Sequence, residues 1–329
     1  MPAIFAYIVH RGGVVDDSAA ELMAAAKQID ATASPVALVT GWGSQLDAAC
    51  ESLCASYREI WRIASQSLAY PNAELVRKAL VKVLPPGSIV LVPHAHFGMD
   101  LSPGLSIKLN AAFVSDVVGI EGVDGSSLKL IREELGGQVS THVTCDISSG
   151  AVISLRPGTS KPLETAPISS GTVVDKSANL GVLSAGRRYL ETVVAEAGDV
   201  DISQYAVLVS IGRGIQEKDN ISIAQELADA MGAAVSCSRP VVDAKWLDKS
   251  RQVGSSGKTV KPKIYLACGI SGSSQHLAGI KGNPFLVAIN KNPQAPIFQV
   301  AQVGIVDDIL EFLPELTNKI REMRGVWAK

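Results

Sequence analysis

Long hydrophobic runs and a surplus of either charge are missing from this 329-residue chain, and aromatic residues are few. Aromatics make up 5%, and no apolar stretch approaches the length that crosses a bilayer. A formal net charge of -2 leaves no electrostatic footprint for nucleic acid or an anionic membrane surface. The five cysteines, Cys50, Cys54, Cys145, Cys237 and Cys268, form no C-x-x-C pair and have no clustered histidines or carboxylates around them. They read as reduced, buried thiols of a cytoplasmic protein, and no metal is implied. The opening MPAIFAYIVHRGG lacks a basic leader before its short apolar run, so it reads as a first strand and not as a signal peptide. Two nucleotide-binding spacings, G-x-G-x-x-G and G-x-x-x-x-G-K-[ST], are absent as well.

What is present is 47% hydrophobic residues in a chain long enough for two domains. Ala3–Val9, Pro35–Thr40, Glu59–Ile63 and Ser88–Pro93 read as strands; Asp17–Ile29, Gln45–Ala55 and Asn72–Leu84 read as helices. This alternation argues for an α/β fold. Leu128–Leu135, Val139–Cys145 and Ala151–Leu155 alternate more weakly and suggest an antiparallel extension of the sheet. His94 and His96 follow a buried strand, at the end where open α/β sheets bind ligands, yet histidines in such loops are often merely packed. Arg156 to Lys176 is rich in Pro, Ser, Thr and Gly and reads as a surface loop ending the first core. Charged Arg187–Ala197 then leads to a hinge at Gly198-Asp199-Val200-Asp201.

Beyond the hinge, apolar strands repeatedly run into polar loops. Ala206–Ile211 meets Gly212-Arg213-Gly214, Ala233–Ser238 meets Arg239, and Phe285–Ile289 meets Asn290. A helix capped by Asp219 or Asn220 stops at Gly232, and Ile309–Met323 carries a helical stripe kinked or restarted at Pro314. The densest signal is KIYLACGISGSSQHLAGIK, Lys263 to Lys281. It reads as a buried strand, a bend of small residues, and a helix resuming near Gln275. Such a bend exposes the first free N–H groups of the helix, where phosphate or another anion is held, and serine hydroxyls add donors. In a parallel sheet these loops share the carboxyl edge, so Arg213, Arg239 and His276 would join them in a cradle for a large phosphorylated ligand.

Taken together, SIGRG (Ser210–Gly214), AAVSCSRPVVDA (Ala233–Ala244), RQVGSSGK (Arg251–Lys258), YLACGISGSSQHLAGIK (Tyr265–Lys281), VAINKNPQAPIFQVA (Val287–Ala301) and GIVDDILEFLPEL (Gly304–Leu316) resemble the alpha subunit of electron-transfer flavoprotein in order and spacing. The first half is similar to that family more loosely, through LVPHAHFGMDLSPGLSIKL and the Gly136–Gly137 region. The resemblance implies an α/β protein of two domains, residues 1–197 and 198–329. Each would be a mainly parallel sheet flanked by helices, the second a doubly wound FAD-binding domain. It implies a heterodimer with a beta subunit, to which the first domain would pack, in a bacterial cytoplasm.

Residue roles carried over from the family are as follows. Ser271, Gly272, Ser273, Ser274, Gln275 and His276 would contact the pyrophosphate, ribityl chain and flavin, with His276 beside the carbonyl at flavin C2. Arg239 would set its guanidinium against the ring, with Ser238 next to it. Val253, Gly254, Ser255 and Ser256 would wrap the flavin, Ser256 offering its hydroxyl near N5. Arg213 would reach the phosphates or the ribityl side, and Asn290, Asp308 and Ile309 the adenosine end. The chain departs from the family at three places: Ser255-Ser256 for Gln-Thr, Asn290-Lys291-Asn292-Pro293 for Asn-Lys-Asp-Pro, and Ala301-Gln302-Val303 for Ala-Asp-Tyr. The hydroxyl survives the first of these, and the other two touch the adenosine loop.

The implied activity is that of an electron carrier rather than a stand-alone catalyst. FAD would take single electrons from flavin dehydrogenases of the acyl-CoA class, as in fatty acid beta-oxidation, and pass them to a quinone oxidoreductase. The beta subunit would hold AMP or a second FAD. Charge arriving at the pyrimidine edge would be met by Arg239, by the helix behind the bend, and by a protonated or donating His276. The alternative within the family is electron bifurcation, with NADH as donor and ferredoxin as one acceptor. Two readings of other classes are a pyridine-nucleotide dehydrogenase, which calls for the missing glycine fingerprint, and a non-redox scaffold, which leaves Arg213, Arg239, Gln275, His276 and Asn290 without purpose.

Overall fold

The computed structural model describes residues 2–135, 139–160, 162, 171–191 and 200–327. It divides into two compact units, Met1–Glu191 and Thr192–Lys329. The hinge expected around Gly198, most of Arg187–Ala197 and the Gly136–Gly137 region fall outside the described residues.

The first unit is built on one sheet. Its strands are β1 Ile4–Tyr7, the small hairpin β2 His10–Arg11 and β3 Val14–Val15, β4 Val36–Gly41, β5 Glu59–Ala64, β6 Ile89–Pro93, β7 Ala112–Asp124, β8 Ser127–Glu134, β9 Val139–Asp146, β10 Ala151–Leu155 and β11 Thr172–Asp175. Nine of them pair in the order β11-β5-β4-β1-β6-β10-β7-β8-β9, while the hairpin stands apart. All pairings are parallel except β7–β8 and β8–β9. Helices α1 Ser18–Ile29, α2 Gly43–Leu53, α3 Ala73–Val83 and α4 His96–Leu109 cover both faces, each contributing its apolar stripe to one of two cores. Asn72 caps α3 by accepting from the amides of Glu74 and Leu75 at 3.0 and 3.3 Å.

Three expectations need correction here. Ala151–Leu155 is no antiparallel extension: β10 lies between β6 and β7 and runs parallel to both. Its five residues are all buried, as a central parallel strand demands. The stretch expected as surface loop supplies β11, which pairs with β5 at the sheet edge. The first core also reaches past Lys176, because Leu180 and Leu183 are buried in it. Strand β7 escaped notice because Asp116, Gly119 and Gly122 interrupt its pattern. They mark register shifts, and Asp116 takes a left-handed φ of 56°.

The second unit is smaller and wholly parallel. Strands β12 Val207–Ile211, β13 Ala234–Cys237, β14 Ile264–Cys268, β15 Phe285–Ile289 and β16 Val303–Ile305 pair in the order β13-β12-β14-β15-β16. Helices are α5 Ile221–Met231, α6 Arg239–Asp243, α7 Ser274–Leu277 and α8 Ile309–Trp327. Helix α5 ends where Gly232 turns left-handed at φ 67°, and α8 runs unbroken through Pro314. One face of the sheet packs against α5 and α8. The other is covered by loop residues, among them Val253, Val260, Ile270 and Ile297, rather than by long helices. Among the described residues no helix is long and apolar enough to cross a membrane.

Candidate functional site

In the second sheet the chain moves from β12 outward to β13, then returns to place β14 on the other side of β12. Such a reversal of winding is where open parallel sheets bind ligands, at the carboxyl ends of the strands, and here that place falls between β12 and β14. The loops leaving both strands are rich in glycine, and the backbones touch. Gly269 has φ 65°, and a Cβ there would lie 2.7 Å from Gly214 Cα. The Gly214 amide donates to the Gly269 carbonyl at 3.1 Å. A third loop, Val253–Gly257, joins them. The Val253 amide donates to Cys237 O at 2.9 Å, at the end of β13, and the Ser255 amide donates to Gln275 O at 2.7 Å.

The bend after β14 is where the expectation of a full helix fails. Helix α7 is a single turn, Ser274–Leu277, capped by Ser273, whose side chain accepts from the His276 amide. The apolar pattern at Leu277, Ala278 and Ile280 continues instead as a bridge from Ile280 to Val260, after Gly279 packs on Gly254. One turn carries little macrodipole, so anion binding falls to the amides themselves. Among the described residues, the amides of Ser271, Gly272, Ser273, Ser274 and Gln275 have no backbone carbonyl partner. Consecutive free N–H groups in such a bend form an anion-binding concavity.

The expected residues follow the carboxyl ends of the second unit's strands, and their side chains are engaged in different ways. Arg213 and Arg239 are exposed, and Arg239 reaches Asp243 of its own helix at 3.4 Å. Ser238, which precedes that helix, is buried. The Ser256 hydroxyl oxygen accepts from Gln252 Nε2 at 2.8 Å, which leaves its own proton free. Asn290 acts as a brace: its Nδ2 donates to Ile270 O and its Oδ1 accepts from the Asn292 amide, both at 2.9 Å. Asp308 accepts from the Leu310 amide at 3.0 Å at the start of α8, and Lys291 Nζ lies 2.7 Å from its other oxygen. Lys291 holds that carboxyl below its usual range. Ile309 is buried in the core under α8.

His276 differs most from expectation. The ring is 4% exposed, with Nδ1 3.1 Å from the Val253 carbonyl and Nε2 2.8 Å from the Tyr265 hydroxyl. Burial pushes its pKa down to about 4, so the imidazole is neutral at pH 7 and both nitrogens are already taken. Tyr265, Ser210 and Gln252 were not among the expected site residues. The signal that could have exposed them is a serine in the middle of the apolar strand VLVSI, which needs a buried polar partner.

In the first unit His94 Nδ1 lies 2.9 Å from Ser154 Oγ and is partly buried, while His96 opens α4 on the surface. The five cysteines are free; burial raises the Cys237 and Cys268 thiols to about 12. Among the described residues no group of three or more His, Cys, Asp or Glu could hold a metal.

Compared with known proteins, residues 4–180 match the electron transfer flavoprotein domain and residues 201–281 the electron transfer flavoprotein FAD-binding domain. An electron transfer flavoprotein subunit alpha from Methylophilus methylotrophus is 36% identical over 97% of this chain and 99% of its own length. One from Megasphaera elsdenii is 37% identical over 73% and 72%. Protein FixB of Clostridium saccharobutylicum is 35% identical over 71% and 70%. Among solved structures, a thiamine diphosphate-dependent 4-hydroxybenzoylformate decarboxylase from Rhodococcus jostii RHA1 aligns over 97% of this chain and 59% of that one. Its TM-score of 0.23 and 8% identity are too low to bear on fold or function.

Proposed function

The chain belongs to the electron transfer flavoprotein alpha-subunit family, and from that premise we propose that its second unit holds one FAD as a single-electron carrier within a heterodimer. What supports this reading is the bend after β14, whose consecutive amides have no backbone carbonyl partner among the described residues. The residues present fit the cofactor. Amides of Ser271 to Gln275 would receive the pyrophosphate, and Arg213 would neutralise the phosphates or the ribityl side. Val253, Gly254 and Ser255 would wrap the ring, and the free Ser256 proton would be offered to N5. Arg239 would place its charge against the ring beside Ser238, favouring added negative charge there. His276 would stand at the pyrimidine edge, neutral and with its nitrogens engaged, shaping that edge rather than charging it. Asn290 and Asp308 would flank the adenosine end through the loops they brace, with Ile309 beneath.

FAD, when bound, accepts and releases electrons one at a time. Around it the protein would exclude water, set the potential and present the ring edge to its partners. The first unit would pack with a beta subunit carrying AMP. The donor would be a dehydrogenase of the acyl-CoA class and the acceptor a quinone oxidoreductase, all in the cytoplasm. Co-expression with the beta subunit should yield a yellow complex with one FAD, unreactive to NADH. Two flavins per heterodimer and reduction by NADH would replace this donor with the bifurcating alternative, which passes electrons to ferredoxin. A colourless complex that refuses added FAD would end the flavin reading.

A further inference from the structure

Beneath the bend, on the loop-covered face of the second sheet, lies a short column of buried polar groups. Ser210 on β12 and Tyr265 on β14 are both fully buried, and His276 closes the column from above. The Tyr265 hydroxyl oxygen is 2.7 Å from Ser210 Oγ and 2.8 Å from His276 Nε2. On its other side the imidazole meets the Val253 carbonyl at 3.1 Å through Nδ1.

Counting protons decides the direction of the two bonds that the imidazole makes. A carbonyl only accepts, so Nδ1 carries the proton. In a neutral imidazole Nε2 is then an acceptor, and the one hydroxyl within reach of it is that of Tyr265. Tyr265 has a single proton and two acceptors beside it, His276 Nε2 and Ser210 Oγ, to which it is also placed to donate. Giving that proton to His276 satisfies the buried imidazole with no charge in the interior. The ring thereby ties three segments distant in sequence: the 253 loop, strand β14 and the serine bend. The backbones it joins are in close contact, since a Cβ on Gly254 would lie 2.9 Å from the Gln275 carbonyl oxygen.

We propose that Tyr265 is the positioning residue of this site: it fixes His276 as the Nδ1–H form on Val253 and so sets the 253–256 loop against the serine bend in the geometry that receives the flavin. The last clause rests on the flavin reading above; the orientation of His276 does not. Tyr265 touches no ligand itself and acts through the imidazole. Without its hydroxyl, Nε2 becomes a buried acceptor lacking a donor. The ring then loses its preference for one tautomer, and the Val253 contact weakens with it.

The test uses the full chain with ¹⁵N-labelled histidine, wild type and Tyr265→Phe, with His276 assigned through His276→Gln. Two-bond proton–nitrogen spectra should show His276 wholly as the Nδ1–H form in the wild type and as a mixture in Tyr265→Phe. In the complex with the beta subunit, stripped of flavin, the Kd for added FAD should rise about tenfold or more in Tyr265→Phe. Should that variant fail to fold, Ser210→Ala removes the competing acceptor and should keep His276 wholly in the Nδ1–H form with FAD affinity no weaker than wild type; a tautomer mixture there overturns the proposal. An unchanged tautomer overturns the proposal, and so does a tautomer mixture with unaltered FAD affinity. A wild-type complex that binds no FAD brings down the flavin reading and the positioning role that rests on it, while the spectra still decide whether Tyr265 orients His276.

Discussion

The two units carry the same kind of sheet edge and finish it in opposite ways. At the carboxyl end of the first sheet the polar groups are consumed by one another. Arg156 forks onto Asp116 at 2.8 and 2.9 Å and also binds Glu133; His94 leans on Ser154 with Asp116 3.8 Å away. Phe97 stacks on Tyr7 across the same end, their centroids 5.8 Å apart. At the carboxyl end of the second sheet the loops are glycine and serine, locked backbone to backbone, and the donors they carry face outward. A parallel sheet opens a crevice wherever its winding reverses. Whether that crevice becomes a site depends on what its loops leave unsatisfied, and among the described residues the second edge leaves a row of amides beside the exposed Arg213 and Arg239.

That contrast can be broken at several points. The largest effect is expected from Gly272→Ala. Its φ of 87° is left-handed and a Cβ would lie 2.6 Å from Ile297 Cα, so the bend must move. The backbone term alone costs about 1–2 kcal/mol, and the complex should purify largely without flavin. Full flavin absorbance in this variant would show that the bend is not the binding element.

Next is the pH response of the second unit. His276 is held down to about 4 against an ordinary 6.5, so the unfolded chain binds the extra proton between those values. Stability is therefore complete above about pH 6.5 and lost as pH falls toward 4, by about 3 kcal/mol for a shift of this size. Denaturant unfolding of the flavin-free protein at pH 7 and pH 4 measures it. An equal loss in His276→Gln would remove the assignment.

In the first unit, Arg156→Leu strands Asp116 and Glu133; Arg156 holds the Asp116 carboxyl below its usual range. Destabilisation of about 1–3 kcal/mol should follow, with flavin content unchanged. Loss of flavin here would mean that the two edges are not independent. The smallest effect is expected from Arg239→Ala, which removes an exposed charge: FAD Kd up about tenfold and the first one-electron potential down by about 60 mV. A potentiometric titration that superposes on the wild type would relieve Arg239 of its role.

Much of this was legible in the residues themselves. Apolar runs such as SIVLVP and AVLVSI read as strands buried on both faces, and Asn72 and Gly232 mark helix ends through caps that act within a few residues, whereas the side chain of Asn220 caps nothing and donates back to Ile215 O. The loops Gly212–Gly214, Val253–Ser256 and Gly269–Ser274 were likewise visible as small-residue links after strands. What misled was local resemblance without context. Leu277, Ala278 and Ile280 have helical spacing, yet Gly279 must approach Gly254 and the helix stops after one turn. Ala151–Leu155 resembled an edge strand until its neighbours on both sides were known.

By itself the sequence determined the alternation of strands and helices, the glycine and serine content of the loops and the family to which the chain belongs, because these depend on contacts between residues near each other in the chain. Only the tertiary structure decided that Val253, Tyr265 and His276 meet. That meeting leaves the imidazole neutral and fully bonded, since burial and hydrogen-bond partners are set by segments that come together only when the sheet closes.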